Sequence, residues 1–463
     1  MTYSTTNPYT GETLKVFPNA TDAEVDQALA QGHAAYQLWK DVAVADRVAV
    51  LQKAADLLRE RHTQYASLLT LEMGKLLTEA EAEVELSACI FEYYVENAER
   101  QLAAEKLPSK DPAVKDAMLV HEPLGIILAI EPWNFPYYQI ARIIAPQLSA
   151  GNVVVLKHAS NVPQCADAFE RLMLEAGLLA GGFKNLYATR AQIKTIIDDP
   201  RVHGVALTGS EEAGAIVAAQ AGAALKKSTM ELGGADAFIV LEDANLDKAA
   251  KWAVFGRHWN AGQVCCSSKR IIVVEAVYEA FMERYVAGVT ALEAGDPMDR
   301  STTLAPLSSQ GAADDVRKHV EEAVAHGATA TVIGAEVSDR GALVRPVMLT
   351  GLTKDNPAYY WEFFGPVSLI FKAKDEAEAI SIANDSPFGL GGSVFTQDLA
   401  HGVDVARKIS SGMVYINHPT AVKADLPFGG IRRSGYGREL IGLGLKEFVN
   451  QKLIGVTDID GTF

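Results

Sequence analysis

The chain has 463 residues, 49% hydrophobic and 22% charged, a globular composition with length for roughly two to four domains and a core needing no disulfides or structural metals. Its net charge of −16 is spread over many segments, which argues against a general nucleic-acid binder, whose footprint is basic. No apolar run reaches bilayer length, the opening MTYSTTNPYTGE lacks a signal peptide's basic start and apolar stretch, and the 4 cysteines show no metal or disulfide spacing, so the expectation is a cytoplasmic protein with no membrane partner and no metal.

In chain order, the N-terminal quarter reads as helix. Thr21 with Glu24 forms a capping box, and Val25, Ala28, Leu29, Gly32, Tyr36 and Trp39 follow at helical spacing. Similar periodicity runs through 44–62 and about 78–106, and the polar stretch LPSKDPAVKD ends it. From residue 125 the texture changes to short continuous apolar runs: GIILAI, NVVVLK, GVALTG and AFIVL. Each is followed by turn or helix signals, the pattern of buried parallel strands alternating with helices. A second series, RIIVV, TATVIG, VSLIFKA, GSVFT and GMVYIN, follows Cys265. The spacing predicts two α/β blocks joined near residue 230, without internal repeats or flexible linkers.

Four segments carry candidate chemistry. The full GxGxxG dinucleotide fingerprint is absent. However, a strand runs into Thr208-Gly209-Ser210 and then a helix, and the positive, unpaired end of a helix suits a pyrophosphate. Around Gly262-Gln263-Val264-Cys265-Cys266 the flanks are small and polar: Asn260, Ser267 and Ser268. A reachable, stabilised thiolate needs such surroundings. Glu231 precedes a Gly-Gly turn, and Asn134 sits in the constrained turn Pro132-Trp133-Asn134-Phe135-Pro136 directly after GIILAI. Taken singly, each also fits a structural role: a strand-to-helix turn, a buried thiol, a solvated carboxylate, a turn asparagine.

Together the segments resemble the aldehyde dehydrogenase superfamily, with PWNFP, LK before a short turn, TGS, ELGG, GQxC, ExFGP and PFGG in the family's order from Asn7-Pro8 to about Phe448. The resemblance implies an α/β fold of three parts. These are a Rossmann-like cofactor-binding domain (1–106 and 124–230), an α/β catalytic domain (231–440) and a small β oligomerisation flap (107–123 and 441–463). It implies a homodimer or homotetramer. It assigns Cys265 as nucleophile, Glu231 as general base and Asn134 as oxyanion donor. Trp133, Lys157, Ser160, Gly209, Ser210, Glu362 and Phe364 would bind the cofactor, Lys157 and Glu362 at the two riboses and Phe364 beside the nicotinamide. Phe428 would line the substrate tunnel.

Within that family the LKHAS segment is most similar to bacterial succinate-semialdehyde dehydrogenases, which implies succinate semialdehyde as substrate, with another aliphatic or aromatic aldehyde as the alternative. The common Lys-Pro pair is here Lys157-His158, and Trp259 stands where some semialdehyde enzymes carry a second arginine. NAD-preferring members often carry a glutamate three residues after the lysine; Ser160 has no charge to repel a 2′-phosphate, so NADP is expected, with NAD also used. Arg142 follows Asn134 by eight positions on a helix flanked by Ile140, Ile143 and Ile144. The resemblance places it at the tunnel wall, where it would grip the distal carboxylate, because a buried guanidinium needs an anionic partner. A cysteine hydrolase leaves Lys157 and Glu362 unexplained, and a non-catalytic binding protein on this scaffold leaves Cys265, Glu231 and Asn134 without purpose.

Overall fold

A computed structural model describes residues 2–337 and 341–461. The first helix spans Asp22–Trp39, and Thr21 and Glu24 form the reciprocal cap that the sequence indicates. Val44–Glu60, His62–Met73 and Leu77–Leu102 continue the helical quarter. Gly74 stops the third of these in a left-handed conformation, as glycine does without steric cost.

The apolar runs form two sheets. The first has the order Gly435–Tyr436, Lys227–Glu231, Val202–Thr208, Ile126–Glu131, Val153–His158, Phe183–Asn185. It is parallel except for its first strand. The second has Ala237–Val240 and Arg270–Val274 at its centre, so the run AFIVL belongs to this sheet. Alternate residues of these strands enter different cores: Ile239 and Ile272 pack with Leu369 and Phe371 on one face, Phe238 and Ile271 with Phe281 and Tyr285 on the other. Burial on both faces is why the runs are continuously apolar rather than alternating.

A third sheet pairs Val449–Thr457 with Val114–Pro123, which also pairs with Glu105–Lys106. The flap-like sheet therefore takes in residues 105 and 106, which the sequence reading gave to the first domain. The helix Ile441–Lys446 instead packs on the body, against Pro136–Ala150. Among the described residues no helix is long and apolar enough to cross a membrane.

Candidate active site

The site forms where strands of the first sheet end and the chain crosses to the second, the usual place for ligands in open α/β sheets. Asn134 follows Ile126–Glu131, Gly209 and Ser210 follow Val202–Thr208, and Glu231 is the last residue of its strand. The Gly209 N–H donates to the Glu231 carbonyl at 3.0 Å, which ties two of these turns together.

Cys265 is presented by a constrained turn. Asn260, Ala261 and Gly262 all have positive φ, a conformation that costs the two non-glycine residues energy and persists only where surroundings enforce it. The surroundings are specific. The Asn260 side-chain amide donates to the carbonyls of Asn134 (3.0 Å) and Gln263 (3.2 Å), and its backbone N–H donates to Glu79 at 2.9 Å. The buried Arg257 donates to Ser267 Oγ at 2.6 Å and to the Val367 and Phe363 carbonyls at 2.6 and 2.8 Å. It thereby binds the cysteine turn to the segment carrying Glu362 and Phe364.

A cavity of about 250 Å³ is lined by Trp133, Asn134, Gly209, Ser210, Cys265, Glu362 and Phe364, among others. Seven expected site residues thus meet in one place. The Trp133 and Phe364 rings meet edge to face at 5.7 Å. Asn134 is buried, and its amide donates to the Gln263 carbonyl at 3.0 Å. Cys265 is half-buried whereas Cys266 is buried. A hydrogen bond from the Cys266 thiol, with the Lys269 and Arg142 charges, holds the Cys265 thiol below its ordinary pKa against the cost of burial. Ser210 caps the helix Glu211–Ala223, so that helix presents its first turn at the cavity, and its dipole favours an anion there.

Lys157 and Ser160 lie apart, in a second cavity of about 370 Å³ shared with Tyr3, Thr189 and Arg190. Arg190 was not singled out in the sequence, because the start of the helix Arg190–Asp198 that carries it has no motif. Burial and the like charge of Arg190 push Lys157 down to about 8. Two cations facing one cavity, neither in an ion pair among the described residues, fit an anionic group such as a phosphate.

Glu231, Arg142 and Phe428 do not line either cavity but sit behind Cys265. Glu231 is 2% exposed, and among the described residues its carboxylate oxygens have no hydrogen-bond partner. Burial and the neighbouring Glu439 push its pKa well above the usual carboxylate range. Gly429 leaves it room, since a Cβ there would lie 2.7 Å from Glu231 Oε1. Arg142 differs from expectation in its partner. Its anion is supplied within the chain by Glu439, and it donates to Tyr138 Oη at 3.0 Å and Thr208 Oγ1 at 2.7 Å. Phe428 stacks on it, 5.2 Å from guanidinium to ring centroid. Glu131 and Glu439 of this cluster carry no motif, so sequence reasoning missed them, whereas Thr208 opens the Thr-Gly-Ser turn.

A sequence model described as the aldehyde dehydrogenase family matches residues 1–454. The chain belongs to that family. It is 47% identical to the succinate-semialdehyde dehydrogenase [NADP(+)] of Deinococcus radiodurans, over 98% of this chain and 94% of that one. It is 43% identical to succinate-semialdehyde dehydrogenase [NADP(+)] 1 of Mycobacterium ulcerans, over 98% and 100%. Among solved structures, the succinic semialdehyde dehydrogenase of Streptococcus pyogenes in complex with NADP+ superposes with a TM-score of 0.96 at 47% identity, covering 98% of this chain and all of that one. Such membership accounts for the order of motifs along the chain and for the two-sheet architecture around them.

Proposed function

We propose that this aldehyde dehydrogenase oxidises succinate semialdehyde to the dicarboxylic acid, with NADP as preferred cofactor and NAD as a second. The observation that carries the reading is one cavity holding the Cys265 thiol, the Asn134 amide, the Glu362 carboxylate and the open end of a helix. The Cys265 thiolate attacks the aldehyde carbon, and the Asn134 amide with the Cys265 backbone N–H receives the oxyanion. Bound nicotinamide would supply the two-electron acceptor, leaving the acyl group on Cys265 as a thioester. Glu231 takes the proton of the water that hydrolyses it.

The residues present fit NADP. Lys157 and Arg190 would hold the 2′-phosphate beside Ser160, the first turn after Gly209-Ser210 the pyrophosphate, and Glu362 the nicotinamide-side ribose. Arg142 would hold the distal carboxylate. Of its five N–H donors, two are hydrogen-bonded, to Tyr138 and Thr208, and Nε faces Glu439 in the ion pair, which leaves one N–H on each terminal nitrogen. Burial favours the protonated form of Glu131, so its charge does not repel an incoming anion. The names of the relatives support the substrate and the cofactor. We further propose a cytoplasmic homo-oligomer assembled through the three-stranded sheet.

Initial rates on succinate semialdehyde and butanal test the reading. A charged hydrogen bond to the carboxylate is worth roughly 1.5–3 kcal/mol, about ten- to two-hundred-fold in kcat/KM, and the semialdehyde is expected to lead by that factor. Arg142→Leu also breaks a buried ion pair, so the ratio of the two substrates is the readout. Collapse of the ratio supports the carboxylate role, whereas equal losses on both substrates assign Arg142 to structure alone.

A further inference from the structure

Lys269 is fully buried, and beyond its charge near the Cys265 thiol it has none of the roles assigned above. Its Nζ lies 2.7 Å from each of four oxygens: the carbonyls of Gly234, Val264 and Cys265, and the Glu362 carboxylate. An ammonium has three N–H donors, so four acceptors share three protons. The Gly234 N–H donates to the same Glu362 carboxylate at 3.0 Å, closing a ring from the Gly-Gly turn through Glu362 to the cysteine turn. That ring has no slack: a Cβ on Gly234 would stand 2.6 Å from the Cys265 carbonyl oxygen, and one on Gly233 would collide with Glu362. The Phe364 ring covers a further side, with its centroid 5.5 Å from Nζ.

The Val264 carbonyl and the Cys265 N–H are two ends of one peptide unit. A cation on that carbonyl polarises the unit and makes the N–H a stronger donor, since hydrogen bonds in a chain reinforce each other at low dielectric. Glu362 competes with both carbonyls of the cysteine turn for the same cation. We infer that Lys269 is a positioning residue that links the Cys265 turn to Glu362, so that filling the cofactor side of the cavity alters the reactivity of the nucleophile. The inference rests on the ribose role proposed for Glu362. Ribose hydroxyls donating to that carboxylate spread its charge, weaken its hold on Lys269, and turn the ammonium toward the cysteine turn. Glu362 also opposes the thiolate directly, and the remaining groups facing Cys265 act without this link: Cys266 and Arg142 favour the thiolate, Glu231 opposes it, and Tyr138 stands by as a neutral phenol.

The test is the pH midpoint of Cys265 alkylation by iodoacetamide, read by mass spectrometry of the Cys265 peptide with and without NADP+. NADP+ affinity is measured separately by tryptophan fluorescence. The midpoint, not the rate, is compared between states, because bound cofactor also shields the thiol. In the wild type NADP+ is expected to lower the midpoint. Lys269→Met is expected to raise the cofactor-free midpoint by roughly one pH unit, about ten-fold slower labelling at pH 7, and to abolish the response to NADP+. Should that variant fail to fold, Glu362→Gln carries the test: with the competing charge gone, cofactor-free Cys265 labels about three- to ten-fold faster and ignores NADP+. A Lys269→Met enzyme with the wild-type midpoint and response overturns the inference, as does unchanged cofactor-free labelling in Glu362→Gln. The NADP+ affinity of Glu362→Gln judges the ribose role by itself: unchanged affinity removes that role whatever the labelling shows.

Discussion

Because burial and Glu439 raise the Glu231 carboxyl, the ionised base is scarce at low pH and increases as pH rises through the elevated midpoint. Thioester hydrolysis is therefore expected to accelerate with pH over that window. Glu231→Gln removes the base but leaves the thiol, and general-base groups contribute about 10²–10⁴-fold. Stopped-flow mixing of that variant with aldehyde and cofactor should give a burst of reduced cofactor near one equivalent per site, then slow turnover insensitive to pH. A variant with no burst would place Glu231 at thiol activation instead. Lys157 behaves in the opposite sense. With its pKa at about 8, it is charged below that pH and neutral above it, and only the charged form attracts a 2′-phosphate. NADP affinity should fall above pH 8, by up to about ten-fold per pH unit while Lys157 dominates the site, and NAD affinity should stay level. Ser160→Glu should weaken NADP far more than NAD at every pH. Parallel pH profiles for the two cofactors would remove Lys157 from the phosphate site.

The helix Leu77–Leu102 shows what a sequence hides at the scale of elements. Its Glu83 accepts from the backbone N–H of Tyr137 and Tyr138 at 2.8 and 3.2 Å, capping the helix that follows Asn134, and is ion-paired with buried Lys75. Its Glu79 accepts from the Asn260 N–H ahead of Cys265. One helix therefore braces both the turn of Asn134 and the turn of Cys265. Glu83→Ala would strand the Lys75 charge in the core, and breaking such a pair costs about 3–5 kcal/mol. Urea unfolding should report a loss in that range, and a loss under 1 kcal/mol would show that water or a neighbour replaces the carboxylate. None of this was legible, because Glu79 and Glu83 read as the polar face of an amphipathic helix. The strand Lys227–Glu231 escaped for a related reason: KSTME has no apolar run, and its place in the sheet comes from its neighbours Val202–Thr208 and Gly435–Tyr436. By contrast GIILAI, AFIVL and RIIVV were readable, since burial on both faces leaves an unbroken apolar signal. Cys265, Asn134 and Glu362 were found through local motifs, whereas Lys269, Arg190 and Glu439 depend on contacts that no local spacing records.

At the scale of the whole molecule, the three-stranded sheet is out of balance with the rest. Val449–Thr457 pairs with Val114–Pro123 along its length, yet every residue from Asn450 to Thr457 is exposed. Side chains alternate across a strand, so the exposed Leu453, and Ile454 with Val456, place apolar surface on opposite faces. Sheets of so few strands gain independent stability only by burying a hydrophobic face or packing on a helix, and here the chain covers neither face of this strand. Its outer edge also presents unpaired backbone groups, a template for pairing with another chain. A second copy of the chain supplies both a cover and an edge, in accord with the proposed homo-oligomer. Leu453→Lys with Val456→Lys puts a charge on each face without touching either cavity or any catalytic residue. Sedimentation velocity at micromolar concentration is expected to show an oligomer for the wild type and a shift toward monomer for the double variant. A wild-type protein that sediments as a monomer, or a double variant that keeps the full assembly, would show that this sheet does not hold the subunits together.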